Sequence, residues 1–193
     1  YNMTSIGGSS DIFVSKLNAS GDFIWAKQMG GTSTDQSLSI AIDAGRNVYT
    51  TGRYGGTGDF DPGPGTYNLI DANMFISKLD ASGNFVWAKQ VGDISTNSVI
   101  SRSIALDAVG YVHTSGDFNN TVDFDPGTGT HNLTAAVPGS DIFALKLSVN
   151  PVLPLTLLNF AGHKVMNTVK MNGQPAHAQN RASFYDKNSN AGK

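Results

Sequence analysis

Apolar and polar residues alternate along most of the chain, in short runs separated by turn-forming residues. In the first clear run, Phe13, Ser15 and Leu17 fall on one side of an extended segment. A period of two is typical of β-strands with one face against a core. The following residues 18–22 include Gly21, which can take a positive φ, so this stretch predicts a β-hairpin.

A second hairpin is predicted immediately afterwards. Residues 39–43 and 47–51 alternate in the same way and flank the turn sequence Ala-Gly-Arg at 44–46. The pattern returns at 103–107 and 111–115. Two hairpins supply four strands, which is the content of one propeller blade.

The alternation belongs to an internal repeat. Residues 11–29 match residues 73–91 at 12 of 19 positions, and residues 39–69 match residues 103–133 at 18 of 31 positions. A third copy starts at Asp141. Repetition of this kind indicates one supersecondary unit used several times, each burying its apolar face against its neighbour.

The predicted fold class is therefore all-β, a partial β-propeller of repeated four-stranded antiparallel blades. Residues 1–150 are predicted to hold the propeller repeats, as a half-blade at 11–29, a blade at 30–91 and an incomplete blade at 92–148. Residues 151–193 are predicted to be a strand followed by a poorly ordered basic tail. The apolar run 153–160 is a candidate for the outer strand that the incomplete blade lacks.

The two and a half predicted blades do not close a propeller ring by themselves. Rings typically contain four to eight blades, and an open end leaves an apolar blade face and an unpaired strand edge. We therefore expect its partners to be further blades of the same protein or neighbouring subunits.

Composition excludes several functional classes. The chain has no cysteine, which excludes disulfide scaffolds, thiolate zinc sites and cysteine nucleophiles. The net charge is −2, with +4 on residues 163–193, and this balance argues against a nucleic-acid partner. The first residues lack the features of a signal peptide, and the most apolar stretch, 151–162, is too short to span a bilayer.

The best candidates for chemistry are two pairs of aspartates, Asp59 with Asp61 and Asp123 with Asp125. Residues i and i+2 of an extended chain point to one side, so each pair could offer carboxylate oxygens to Ca²⁺. The alternative is a structural turn, type II at the Pro-Gly step, with the aspartate accepting backbone N–H groups. A calcium site at these four residues is the metal prediction, and no catalytic residue or other cofactor is predicted.

The histidines and tryptophans have ordinary structural interpretations. His113 stands where the other copy has Tyr49, and His131 where it has Tyr67, which favours half-exposed packing. The paired tryptophans at 25 and 87 are candidates for a sugar-stacking platform or, as is commoner in repeats, for a packing layer between blades. Nucleophile-elbow and phosphate-loop motifs are missing from the sequence, so the chain is predicted not to be an enzyme.

The sequence SIAIDAGRNVYTTG, followed by DF and then MFISKLDASGNFVWAKQVG, resembles the SBBP-type bacterial β-propeller repeat. The resemblance covers residues 11–148, and its DFDPG variant is similar to repeats in large surface and secreted proteins of Bacteroidetes-type bacteria. It implies a scaffold outside the cell with no single activity.

A second resemblance starts at Leu153. The sequence LPLTLLNFAGHKVMNTVKMNGQ is similar to the opening of the immunoglobulin-like segment that often precedes a type IX secretion sorting domain, although Gly173 replaces the usual tryptophan. The predicted function is a non-enzymatic, extracellular or cell-surface β-propeller segment with a structural, adhesive or ligand-binding role, glycans being candidate ligands. The alternatives are a piece of a secreted hydrolase or lyase acting on polysaccharide, and a subunit of a surface filament.

Overall fold

The computed structural model describes residues 1–70, 73–92, 99–136, 139–148, 156–158, 161–165 and 168–172. In these ranges the chain is built of β-strands with one short 3₁₀ turn at Ile6–Gly8 and no α-helix. The strands form three four-stranded sheets and two two-stranded ribbons. The predicted all-β class, with four-stranded antiparallel blades, is confirmed.

The strands of the blades follow the predicted alternation, and other strands lie between and after them. In chain order they are β1 Ile12–Leu17, β2 Phe23–Gly31, β3 Gln36–Ile42, β4 Val48–Arg53, β5 Thr57–Asp59, β6 Asn68–Ile70, β7 Met74–Leu79, β8 Phe85–Val91, β9 Val99–Leu106, β10 Val112–Asn119, β11 Thr121–Asp123, β12 Asn132–Thr134, β13 Ser140–Leu147, β14 Thr156–Leu158, β15 Ala161–Val165 and β16 Thr168–Asn172.

The central blade is the sheet β3-β4-β7-β8, and every neighbouring pair in it is antiparallel. Both predicted hairpins are present in it, β3 with β4 and β7 with β8. The hairpin β1–β2 repeats the second of these pairs, and Gly21 takes the expected positive φ of 86°.

The second blade is the sheet β9-β10-β13-β14. Its fourth strand, Thr156–Leu158, pairs antiparallel with Ala144–Lys146 and so occupies the outer position. This strand comes from the apolar run that the sequence proposed for that place. Residues 173–193, most of the predicted basic tail, lie outside the described residues.

Each blade sends a hairpin back to the blade before it. The ribbon β5–β6 lies in the connection between β4 and β7, yet it pairs with the end of β2 through Gly30 to Asp59 and Gly31 to Gly58. The ribbon β11–β12 occupies the same place in the second blade, where the Gly92 N–H donates to the Asp123 carbonyl oxygen at 3.2 Å. We call residues 57–70 and 121–134 the clasp hairpins.

The core lies between successive sheets. One buried cluster joins β1 and β2 to the central blade, and the other joins the central blade to the second blade. Each clasp hairpin contributes a fully buried phenylalanine to a cluster. The Phe60 ring lies 4.9 Å from Phe75 and 5.4 Å from Tyr54, and Phe124 makes the corresponding contacts in the next blade.

Candidate functional site

The predicted aspartate pairs lie in the clasp hairpins, where they organise the loop between the two short strands. Asp59 Oδ1 accepts hydrogen bonds from the backbone N–H groups of Asp61 and Tyr67, both at 2.9 Å. Asp61 Oδ1 accepts one from Gly63 N at 2.8 Å. The carboxylates therefore replace the backbone partners that an open loop lacks.

The second clasp hairpin repeats this arrangement. Asp123 Oδ1 accepts from Asp125 N at 3.0 Å and from His131 N at 2.7 Å. Asp125 Oδ1 accepts from Gly127 N at 2.8 Å. The two loops thus use the same atoms for the same bonds, although residue 67 is a tyrosine and residue 131 a histidine.

The prediction of a type II turn at Pro62-Gly63 is wrong. A type II turn needs a positive φ at its third residue, and Gly63 does not have one. The Asp61 side chain caps the turn instead, and its Oδ2 atom lies so near Gly65 that a Cβ there would overlap with it. A larger residue at position 65 would therefore displace the Asp61 carboxylate.

The calcium prediction stays a prediction. Within the described ranges, no cluster of three or more histidine or acidic side chains is placed to hold a metal ion. Asp59, Asp61, Asp123 and Asp125 each use one oxygen for backbone N–H groups. Any Ca²⁺ bound here would need the remaining carboxylate oxygen atoms together with carbonyl groups of the loop.

A cleft of about 420 Å³ separates the two clasp hairpins. Its walls include the Tyr67 ring from the first hairpin, Lys89 from β8, and Asp123 and Asp125 from the second hairpin. The Tyr67 ring also packs on Phe85 at 4.7 Å between centroids. The cleft thus combines an aromatic residue with side chains of both charges.

Three further aspartates cap the ordinary hairpin turns. At one of these turns, Asp80 accepts hydrogen bonds from the backbone and side chain of Asn84 and from Ser82 N, and these lower the pKa of Asp80. Burial alone raises the pKa of Asp43, but hydrogen bonds from Asn47 and Tyr49 lower it overall.

Asp107 is the corresponding residue of the second blade, and it carries the largest acidic shift. Burial alone would raise its pKa, but the His113 side chain, the backbone N–H groups of Tyr111 and Val109, and Lys146 lower it to about 2. His113 Nε2 lies 3.1 Å from Asp107 Oδ2, and Lys146 Nζ lies 3.5 Å from the same atom. His113 therefore takes over the contact that the Tyr49 hydroxyl makes with Asp43 in the other copy.

We predict that acidification weakens the second blade through Asp107. A carboxyl whose folded-state pKa is lowered adds stability above its ordinary value of 3.8 and loses it as pH falls from 3.8 toward about 2. Because the side chain is 31% exposed, solvent limits the effect to at most about 1 kcal/mol. Melting curves between pH 2 and 6 should show a shallower acid dependence for Asp107→Asn, and equal slopes for the two proteins would contradict this prediction.

The two tryptophans contribute to packing between blades. Trp87 packs against the cluster between the central and second blades, with its ring 6.1 Å from that of Tyr49. Trp25 packs against the other cluster, and its indole Nε1 is buried without a hydrogen-bond partner. Both side chains are half-buried, and these positions fit the packing interpretation.

Asp35 is a buried carboxylate that the sequence analysis missed. Its Oδ2 accepts from Gly31 N at 2.7 Å and its Oδ1 from Gly55 N at 3.1 Å. Burial raises the pKa of Asp35, the two backbone hydrogen bonds oppose that shift, and nearby Asp11 adds to it. Asp35 thus joins the end of β2 to the residues just before the first clasp hairpin. Asp35 lies alone between polar residues in the sequence, so no alternation or motif predicts that it is buried.

The first four residues also went unrecognised. Tyr1-Asn2-Met3-Thr4 matches Tyr67-Asn68-Leu69-Ile70 and His131-Asn132-Leu133-Thr134, the return strands of the clasp hairpins. Four residues are too short a match to stand out in a sequence alone.

Their contacts repeat as well. The Tyr1 ring stacks on Phe23 at 5.2 Å, as Tyr67 packs on Phe85. The Gln28 side-chain N–H donates to the Thr4 carbonyl oxygen at 2.9 Å, just as Gln90 donates to Ile70 at 3.2 Å. Residues 1–4 therefore lie where the return strand of a third clasp hairpin would lie.

Comparison with known proteins supports the repeat architecture. The chain is similar to an uncharacterized WD repeat-containing protein of Acanthamoeba polyphaga mimivirus, 30% identical over 142 residues that cover 61% of this chain and 10% of that protein. It is also similar to the regulatory protein FlaEY of Caulobacter vibrioides, 25% identical over 129 residues that cover 64% of this chain and 14% of that protein. The chain therefore spans only a small part of each relative's length.

No family model matches the chain. WD repeats are propeller blades of four strands, so the first similarity agrees with the sheets described above. The chain is a propeller-like β-repeat protein, whereas the SBBP, Bacteroidetes and immunoglobulin-like assignments stay predictions. No helix among the described residues is long and apolar enough to cross a bilayer.

Proposed function

We propose that this chain is a non-enzymatic scaffold segment of an extracellular or cell-surface β-propeller, which displays its clasp hairpins for adhesion or ligand binding. The observation that carries the proposal is the identical use of the four aspartates in both hairpins. Their oxygens hold the loop in shape, which is a structural task repeated from blade to blade. An active site instead combines different groups around one reacting atom.

The proposed ligand surface is the cleft between the clasp hairpins, and its ligand class is a glycan. An aromatic face with a few polar groups beside it is a common arrangement in ligand sites. Tyr67 supplies the face, and Lys89 with Asp125 supplies hydrogen-bonding groups. Because the hairpins repeat, each additional blade adds another such cleft, which suits binding to a repetitive polymer.

A glycan array, run in parallel with a reducing-sugar assay, tests the proposal. We expect binding without release of new reducing ends, and we expect Tyr67→Ala to weaken that binding at least about tenfold. His131→Ala is the matched control, since it lies at the same place in the second clasp hairpin and does not line the cleft. Product release would overturn the proposal in favour of a polysaccharide hydrolase or lyase, and binding unaffected by Tyr67→Ala would exclude this cleft.

Calcium is the one cofactor we propose, as a stabiliser of the clasp loops. Melting curves with added Ca²⁺ and with a chelator should differ if the loops bind the ion, because a ligand that binds only the folded state raises its stability. Asp61→Asn with Asp125→Asn should abolish the difference. Identical curves for the parent protein, together with no heat in a calorimetric titration, would end the metal proposal.

The partners that this scaffold needs are further blades of the same protein or neighbouring subunits. At one end of the described structure Leu38, Ile40 and Ile42 of β3 are exposed, and at the other end Ile142 of β13 is exposed. Exposed apolar side chains grouped on a blade face mark a surface that another element covers.

A further inference from the structure

The end of the molecule at β1 and β3 has an open groove of about 540 Å³. One wall is the edge of β1, which among the described strands pairs only with β2. The other wall is the face of β3, with Leu38 and Ile40. We call it the open-blade groove. An unpaired edge beside an apolar face is the geometry that accepts an added strand.

The internal repeat shows how much of this surface is normally covered. Phe13 of β1 is 66% exposed, whereas its counterpart Phe75 in β7 is fully buried at 0%. Leu17 is 55% exposed, whereas Leu79 is 1% exposed. These side chains have the same identity and strand position, so the difference comes from what packs around them.

The β3 wall shows the same contrast. Ile40 is 56% exposed, whereas Ile104, at the same position of β9, is 7% exposed. Ile104 is covered because β9 packs against the hairpin β3–β4 of the preceding blade, including Tyr49 and Ala41. A hairpin packed against the open face of β3 would cover Ile40 in the same way.

The contacts of β4 on β7 define what that hairpin must offer. Thr50 Oγ1 and Ser77 Oγ lie 2.6 Å apart, and the Thr51 hydroxyl donates to the Phe75 carbonyl oxygen at 2.7 Å. Gly52 lies opposite Phe75, and a Cβ on it would overlap with the Gln36 carbonyl oxygen of β3, so glycine at this position is needed for β3 and β4 to pair within the hairpin. On β1 the matching positions are Ser15 and Phe13, so a Thr-Thr-Gly strand would find the same partners.

The second blade provides a contrasting case. There Leu145 stands opposite Thr114, in place of the serine, and the buried Thr114 hydroxyl has no hydrogen-bond partner. Because β1 retains Ser15, it matches a strand with threonine at this position better than β13 does.

The position of residues 1–4 indicates which polypeptide would carry the hairpin. In the central blade the chain runs from β4 through the clasp hairpin and its return strand to β7. Tyr1 and Thr4 make the return-strand contacts with Phe23 and Gln28. A hairpin in the groove therefore needs only a connection of the same length as residues 54–66 to reach Tyr1.

We propose that the open-blade groove is filled by a β-hairpin of the same repeat type, carried on the same polypeptide ahead of Tyr1, whose second strand places Thr-Thr-Gly against Ser15 and Phe13. This inference rests on the proposed scaffold function, because it names the partner of one open end. It gives β1 the paired inner strands that β7 has in β3 and β4 of the central blade.

The test is to place a second copy of residues 36–66 directly before Tyr1, which recreates the spacing of the central blade. Amide hydrogen exchange in β1 should slow by at least about tenfold, and the melting temperature should rise, because the added strand protects the edge. The control has the same extension with Gly52→Val and Thr50→Val in the added copy only, and its β1 exchange should stay as fast as in the parent chain. Equal exchange in the two extended proteins would overturn the proposal.

A second measurement uses the unaltered chain. A synthetic peptide with the sequence of residues 36–53 should bind to it and slow β1 exchange. Phe13→Asp should abolish this binding, whereas Ile142→Asp, which is equally exposed at the opposite end, should leave it unchanged. Self-association of the parent chain that protects β1 without peptide would instead identify a second copy as the occupant and overturn the proposed source. The glycan result is independent, so failure of the ligand role and failure of this inference are distinguishable.

Discussion

Replacing Phe60 with alanine should lower the free energy of unfolding by about 3–5 kcal/mol, the cost of deleting a buried aromatic side chain. Phe60 is fully buried between Tyr54 and Phe75, so its removal leaves a cavity where the clasp hairpin meets the central blade. Urea unfolding followed by tryptophan fluorescence measures the change, since Trp25 packs against the same cluster.

Two further variants serve as comparisons for Phe60→Ala. Phe124→Ala should cost about the same, because Phe124 makes the equivalent ring contacts with Phe118 and Phe143. Phe13→Ala should cost less than about 1 kcal/mol, since this ring is largely exposed in the chain as it stands. A smaller loss for Phe60→Ala than for Phe13→Ala would show that the clasp hairpin does not contribute to the core.

Asp35→Ala should be the most damaging polar substitution, with an expected loss of about 2–4 kcal/mol. The reason is that the change leaves the N–H groups of Gly31 and Gly55 without their acceptor. A buried group such as Gly31 N–H costs about 1–3 kcal/mol, and the partly buried Gly55 N–H costs less. Asp35→Asn keeps one acceptor oxygen and should lie between the parent and the alanine variant. The same urea titration measures both, and an alanine variant as stable as the parent would contradict the assigned role.

Asp35 also has a pH dependence opposite to that of Asp107. Because burial raises the pKa of Asp35 in the folded protein, its contribution is largest below 3.8 and declines as pH rises through the raised value. Asp35→Asn, which cannot ionise, should remove this decline. A parent and variant with parallel pH profiles above 3.8 would exclude this effect.

Local sequence patterns were sufficient to predict the hairpins of the blades. Alternation is strong in segments such as 73–91, where a buried face and a turn glycine agree, and the internal repeat supports each assignment with a second copy. The repeat aligns His113 with Tyr49, and both side chains contact the aspartate that caps their turn. His113 is half-buried, as the alignment predicted, whereas Tyr49 is fully buried.

The clasp hairpins were beyond such reasoning for physical reasons. Their strands have only three residues, such as Thr57–Asp59, and are too short to show the alternation of apolar and polar residues. Their partner is in the preceding blade, where Gly31 permits the close approach because a Cβ there would overlap with the Thr57 carbonyl oxygen. The pairing of strands far apart in the chain depends here on the absence of a side chain, and the local alternation of apolar and polar residues does not show it. The turn at Gly63 was also predicted wrongly, because the capping aspartate overrides the preference of Pro-Gly for a type II turn.

The backward reach of the clasp hairpins has a consequence for biosynthesis. The end of β2, at Gly30 and Gly31, finds its partners Asp59 and Gly58 only after the following repeat has been made. During translation, the end of the outer strand would therefore lack its partner on one side until the following repeat has been synthesised. Folding would proceed from the N-terminus along the nascent chain, with each new repeat completing the strand pairing of the repeat before it.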